Sequence, residues 1–305
     1  MNFKKLAMLS ALVLGLMDLV SHGAQAATLT VGNATSGPCP HTFTSIQSAV
    51  NVASAGDTIQ VCPGTYDEQV TVTTSNLTIT GAGAGSTTVR PSSVSANSSS
   101  LFSGAFIAAI VVVDGATGVT VEALTIDGST GAPNGCSPTY VGIFYRAASG
   151  TISDTHVTNI FNPVFAGCQG FLGIFVQSGN GGSGLNANVV IDHNTVDKYG
   201  KNGITANEAG TAVTVTNNTV TGRGPVGLGD AAQNGVQLGF GAHGKVTDNA
   251  ISDNNYTPTS YVACGFLAVN AGGAIGQTKT NTFLGNEQNV CTAGAGPSAH
   301  SPFNN

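Results

Sequence analysis

The chain has nine basic and fifteen acidic residues among 305, and several of them fall at matching points of one region. Asp197, Lys198 and Lys201 occupy one turn, Arg223 and Asp230 the next, and Asp253 follows about thirty residues on. An arginine or lysine held in close packing can take a proton from a carbon beside a carboxylate, while further cations neutralise that carboxylate. Aspartate oxygens suit a hard cation such as calcium. On this reading Arg223 is the base, Lys198 and Lys201 bind substrate carboxylates, and Asp197 with Asp230 or Asp253 helps hold calcium. A second group sits on β-prone runs. Strict alternation along those runs places Arg146, Gln177 and Asn207 in one outward column and Phe144, Phe175 and Thr205 in another, with Glu208 closing its strand. Phe144, Phe175 and Tyr199 then offer flat surfaces on which sugar rings could stack, flanked by polar side chains. The competing reading is that exposed turns carry whatever charges a chain has, and that outward phenylalanines lie beneath a loop.

Stacked positions require a repeating scaffold, and the sequence contains one. Gly followed by an apolar residue recurs as Gly142-Ile143, Gly173-Ile174, Gly203-Ile204, Gly235-Val236 and Gly265-Phe266, at spacings of 31, 30, 32 and 30 residues. A second element interlocks with it at Asn194-Thr195-Val196, Asn218-Thr219-Val220, Asn249-Ala250-Ile251 and Asn281-Thr282-Phe283. Two interlocked repeats of this length describe a solenoid whose turns bury their apolar faces only by stacking. The four asparagines fall at one point of successive coils, where side-chain amides can bond along the stack. Amides contacting a ligand are the alternative. The repeat predicts an all-β fold, a right-handed parallel β-helix of about eight coils. Thr44-Ser45-Ile46-Gln47 reads as a capping box opening a short helix over 44–55, which covers the N-terminal end of the core. The Ser- and Gly-rich stretch from Gly81 to Ser103 breaks the period and is expected to protrude as a loop.

The first residues read as a leader. Lys4 and Lys5 precede an apolar run from Leu6 to Val20, and Ala24-Gln25-Ala26 forms a small-x-small cleavage site. Residues 1–26 are therefore expected to be a signal peptide, 27–295 one β-helix domain, and 296–305 a flexible tail. The mature chain keeps seven basic and fourteen acidic residues, a charge of −7, with no basic stretch to follow a phosphate backbone. No later segment is apolar enough to span a membrane. The implied location is outside the cell, secreted or at its surface. All six cysteines lie in the exported part, as an oxidising compartment allows. Coil register sets Cys136 over Cys168 and Cys264 one coil from Cys291, while Cys39 and Cys62 bracket the first helix. Three disulfides follow.

The run from Thr42 to Gly85 resembles the opening of right-handed parallel β-helix proteins of the pectin-lyase-like superfamily. The resemblance rests on Ser45-Ile46-Gln47-Ser48-Ala49-Val50, Ala55-Gly56-Asp57-Thr58-Ile59 and Pro63-Gly64-Thr65-Tyr66-Asp67-Glu68. These first coils are also similar to those of pectin methylesterases, but the chain has no Trp and none of that family's three catalytic motifs. The polygalacturonase pattern is reduced to Asn194-Thr195-Val196 and Ala242-His243-Gly244, without an adjacent Asp pair. Two stretches resemble pectate lyases: Val190-Ile191-Asp192-His193-Asn194, and Arg223-Gly224-Pro225 with Leu228 where that motif has its second arginine. The resemblance implies an extracellular polysaccharide as partner. It leaves two classes open: lyase-like cleavage of a uronate-containing polysaccharide, or a non-catalytic β-helix that presents a binding face.

Overall fold

The computed structural model describes residues 25–180, 185–272, 275–276 and 280–293. The leader up to residue 24 and the tail expected over 296–305 lie outside these residues. Each coil contributes one strand to each of three sheets. Sheet A runs from Thr28–Val31 to Ile275–Gly276, sheet B from Gly64–Tyr66 to Thr282–Leu284, and sheet C from Val70–Val72 to Gln288–Ala293. Pairing within each stack is parallel, and the winding is that of a right-handed parallel β-helix.

The interior is built from ladders of equivalent residues. Ile59, Ile79, Val121, Ile152, Ile191, Val215 and Val246 succeed one another in sheet A. Val157, Val196, Val220 and Ile251 do so in sheet B, and Val111, Ile143, Ile174, Ile204, Val236 and Phe266 in sheet C. All are essentially without solvent exposure. The repeated glycine of each Gly-Ile pair has a steric cause. A Cβ on Gly173 would lie 2.5 Å from the carbonyl oxygen of Gly203 and 2.7 Å from Val196 Cγ1. No side chain fits where the corner brings adjacent coils together.

The asparagine ladder forms at the turn from sheet A to sheet B. Asn218 donates from Nδ2 to the carbonyls of Ile191 and Thr216 and to Asn249 Oδ1, and its own Oδ1 accepts from Asn194 N and Nδ2. Asn249 repeats the pattern with Asn281. A second ladder, Asn254 to Asn286, lies nearer the next corner and has no counterpart in the sequence reading.

Three local expectations are corrected or confirmed. The helix is shorter, Ile46–Val50, and its N-cap is Ser45 rather than Thr44, with Ser45 Oγ accepting from Ser48 N. The side chain of Gln47 does not close a box; it bonds Thr71 N and O instead. The carboxylate of Glu68 reaches across to accept from Ile46 N and Gln47 N, which leaves Gln47 free for sheet C. Within the expected 81–103 loop, Thr87–Val89 is a strand of sheet B, and the protruding part starts after it. The disulfides Cys39–Cys62, Cys136–Cys168 and Cys264–Cys291 are those the coil register indicates. Among the described residues, no helix is long and apolar enough to cross a membrane.

Candidate functional site

The corner from sheet B to sheet C carries the longer loops, because the chain leaves and re-enters the coil there without a regular turn. Arg223 lies in the strand Thr219–Val226, whose pairing with the next coil shifts register between Thr221 and Gly224. That irregularity turns the guanidinium into the corner. Its NH2 lies 3.0 Å from Asp230 Oδ1, Nε donates to the carbonyl of Tyr199, and Cζ sits 3.8 Å above the centroid of the Phe161 ring. Gln233 completes the clamp, accepting from Arg223 N and donating to the same Tyr199 carbonyl. The Arg223 side chain is 16% exposed. An anion, a π face and a carbonyl are each partners of a guanidinium cation.

The other corner residues are also engaged. Tyr199 is buried, not a stacking surface, and donates its hydroxyl to Asn254 Oδ1 at 2.6 Å. Burial and the nearby carboxylates hold its phenol above the usual range. Lys201 is half-buried, and its Nζ donates to the carbonyl of Ala232 at 2.7 Å. Desolvation pushes the amine down to about 8. Lys198 is exposed at a left-handed turn position.

Asp197 accepts from Thr158 and lies 2.9 Å from His156 Nε2 on the outer face of sheet B. Burial raises its carboxyl, but those two bonds outweigh it and the net direction is down. The calcium expectation needs Asp197 to share a site with Asp230 or Asp253, together with other oxygen ligands. Asp197 is instead tied to His156, and Asp230 to Arg223. Among the described residues no three His, Cys, Asp or Glu side chains come together.

On sheet C the expected columns exist in register but do not face solvent. Asp114, Arg146, Gln177 and Asn207 succeed one another, as do Val112, Phe144, Phe175 and Thr205. Phe144 and Phe175 stack with centroids 4.9 Å apart and planes within 6°, and both are fully buried in an outward cluster with Val112, Val141 and Leu172. As placed, they are not open to a sugar ring. A hairpin over 97–105, here called the strap, crosses the ends of these strands. Arg146 Nε donates to Ser99 O, Leu101 N to Gln177 Oε1, and Gln177 Nε2 to Ser100 Oγ. Arg146 also pairs with Asp114 at 2.8 Å. Gln177, Asn207 and Glu208 are buried. Sequence reasoning missed Phe161, Gln233, His156 as the partner of Asp197, and the strap. Phe161, Gln233 and the strap come from loops, while His156 stands in register with Thr125 and Thr195, where nothing periodic marks its pairing with Asp197.

The pairing pattern thus defines the class: a right-handed parallel β-helix with a polar, loop-built corner. No family model matches the chain, and no curated protein matches it in sequence. Among solved structures it is similar to pectin methylesterase PemA from Erwinia chrysanthemi, at 9% identity and a TM-score of 0.45 over 85% of this chain and 93% of that one. It is also similar to the pectin methylesterase from carrot, at 13% identity and a TM-score of 0.44 over 90% of each chain. The alginate lyase of a Paenibacillus species gives 14% identity and a TM-score of 0.36 over 86% and 99%. At such identities the likeness is one of fold.

Proposed function

We propose that the protein is an extracellular β-helix that binds a polysaccharide along the corner between sheets B and C and does not cleave it through Arg223. The observation that carries this reading is the clamp itself: Arg223 is held by Asp230, Phe161 and Tyr199 as a fixed cation. A rigid corner of this kind extends over successive coils. Cys136–Cys168 ties two of its loops, and Ala231 N donates to Ala166 O, joining a third to the loop that carries Cys168. These loops expose Val164, Leu228, Tyr261 and Val262, with Lys198 nearby along the chain. An exposed tyrosine, apolar edges and a lysine suit a partner with both apolar ring faces and anionic groups, as a uronate polymer has.

One observation favours a lyase reading by another route. The Lys201 amine, lowered to about 8, has the proton affinity a general base needs near neutral pH. Affinity electrophoresis against uronate and neutral polysaccharides, with and without calcium, run beside an absorbance assay for unsaturated product, separates the two. Retarded migration in a uronate gel without product is the expected result. Product formation that Lys201→Met abolishes would replace binding by lyase chemistry. No retardation by any polymer, and no product, would remove the polysaccharide reading.

A further inference from the structure

Among the described residues three buried polar side-chain atoms have no partner: Ser98 Oγ in the strap, Asn207 Nδ2 and Glu208 Oε1. Asn207 ends a head-to-tail chain of amides on the outer face of sheet C. Cys264 N donates to Asn234 Oδ1, Asn234 Nδ2 to Asn202 Oδ1, Asn202 Nδ2 to Gln237 Oε1, and Gln237 Nε2 to Asn207 Oδ1. Glu208 follows Asn207 at a left-handed backbone position, with φ at 79°. Its main chain is pinned, N donating to Gly239 O and O accepting from Thr211 N. The carboxyl therefore cannot leave by a small backbone adjustment. Its side-chain neighbour is Gln177, the same residue that holds the strap through Leu101 N and Ser100 Oγ.

We propose that Gln177 and Glu208 form a proton-operated latch, closing the 97–105 strap when Glu208 is protonated and releasing it when the carboxylate forms. A neutral carboxyl tolerates burial with one oxygen unbonded, whereas a carboxylate does not. On ionisation the side chain needs donors or water, and the bond it shares with Gln177 passes that demand to the strap. Apart from its internal Ser100 bonds, that hairpin is held by the Ser98–Ser99 pairing, the Asn97 bonds to Ile107 and Ala109, and the contacts to Arg146 and Gln177. A carboxylate also draws the Gln177 amide away from Ser100.

Among the described residues, Gln177 is the one side chain that acts on the Glu208 carboxyl, and no charged group contributes. The charged pair of this column, Arg146 with Asp114, lies on the two strands before Gln177 and is mutually neutralised. Burial raises the Glu208 carboxyl to about 7, with the Gln177 bond partly offsetting it, so the latch operates across neutral pH.

Amide hydrogen exchange on the intact protein tests this. With a closed-state value of about 7 against 4.5 in the open state, the opening constant rises roughly tenfold between pH 6 and pH 8. The Leu101 amide, once corrected for intrinsic chemistry, should lose protection by that factor while Ile174 in the core does not. Glu208→Gln should keep the strap closed at both pH values. If that variant fails to fold, Gln177→Ala serves, since without the bridging amide Leu101 exchanges fast at both and the ratio falls to about one. Equal protection of Leu101 at pH 6 and pH 8, or an unchanged ratio in either variant, overturns the latch.

Discussion

Replacing Arg223 separates a clamp from a catalyst. Three interactions are lost in Arg223→Ala. The bond to Asp230, between side chains 16% and 23% exposed, is charge-assisted but partly screened and contributes about 1–2 kcal/mol. The Phe161 contact at 3.8 Å contributes about 1 kcal/mol. The bond to the Tyr199 carbonyl adds about 1 kcal/mol. Together they put the cost at about 3 kcal/mol, a fall in thermal midpoint of roughly 6–9 °C for a domain of this size. Arg223→Lys retains the charge but cannot serve three partners from one ammonium, so it should lose about 2 kcal/mol. Differential scanning calorimetry at pH 7 measures both, and polysaccharide retardation by the folded variants should fall only modestly. A midpoint within about 1 °C of wild type, with binding or turnover abolished, would refute the clamp and make Arg223 a chemical group on an indifferent scaffold.

Other expectations follow from the same contacts. Glu208 has a raised folded-state value, so the stability its proton confers is complete below 4.5, declines as pH rises through about 7, and is gone above it. Because opening the strap relieves part of the burial, that loss is about 1–2 kcal/mol. Glu208→Gln should accordingly exceed wild type by about this amount in denaturant unfolding at pH 8.5 and match it at pH 4; a constant offset at both would contradict the linkage. Asn218→Ala removes three donated and two accepted bonds inside the ladder and strands the carbonyls of Ile191 and Thr216. It should cost about 4 kcal/mol or more, and a loss below about 1 kcal/mol would mean that water replaces the ladder. Because Asp197 and Asp230 are already paired, chelator or millimolar calcium should move the thermal midpoint by less than about 1 °C. A stabilisation of several degrees would restore the calcium site.

What the sequence showed and what it hid have physical reasons. The glycines repeat because carbonyls of adjacent coils leave no room for Cβ, and the asparagines because every coil has the same turn carbonyls to satisfy. Such constraints act once per coil, so they print a period. The same period gave the Cys136–Cys168 pair and the outward columns. It could not give exposure. Alternation says that Phe144 and Phe175 point away from the core, not that solvent lies beyond them, and the strap that crosses their strands comes from an aperiodic stretch. The burial of Tyr199 has a related cause: it bonds Asn254 on an irregular stretch of sheet B, as Arg223 meets Phe161 and Gln233 from loops. The helix cap moved by one residue because its N–H groups found Glu68, twenty-two residues from Ile46, where a local motif had offered Gln47.

The two outward sheet faces differ in a way stability alone does not require. Sheet A carries Thr58, Thr78, Thr120, Thr151 and Thr214 at one outward position, each partly solvated, as a β surface facing water should be. Sheet C buries Asn202, Thr205, Asn207, Asn234 and Gln237 at its outward positions. A covered face selected only for stability would extend the Phe144–Phe175 cluster across these coils, since apolar residues need no partners. The chain instead changes from phenylalanine to threonine to glutamine along one column, Phe175 to Thr205 to Gln237, at the coil where Glu208 enters. Every amide in the run is bonded until the last, and the unpartnered donor falls beside the unpartnered carboxyl oxygen. In a fold whose other faces follow their patterning, a departure confined to one place is where function has overridden packing. The end of sheet C beside the strap is such a place, separate from the loop-built corner proposed to hold polysaccharide.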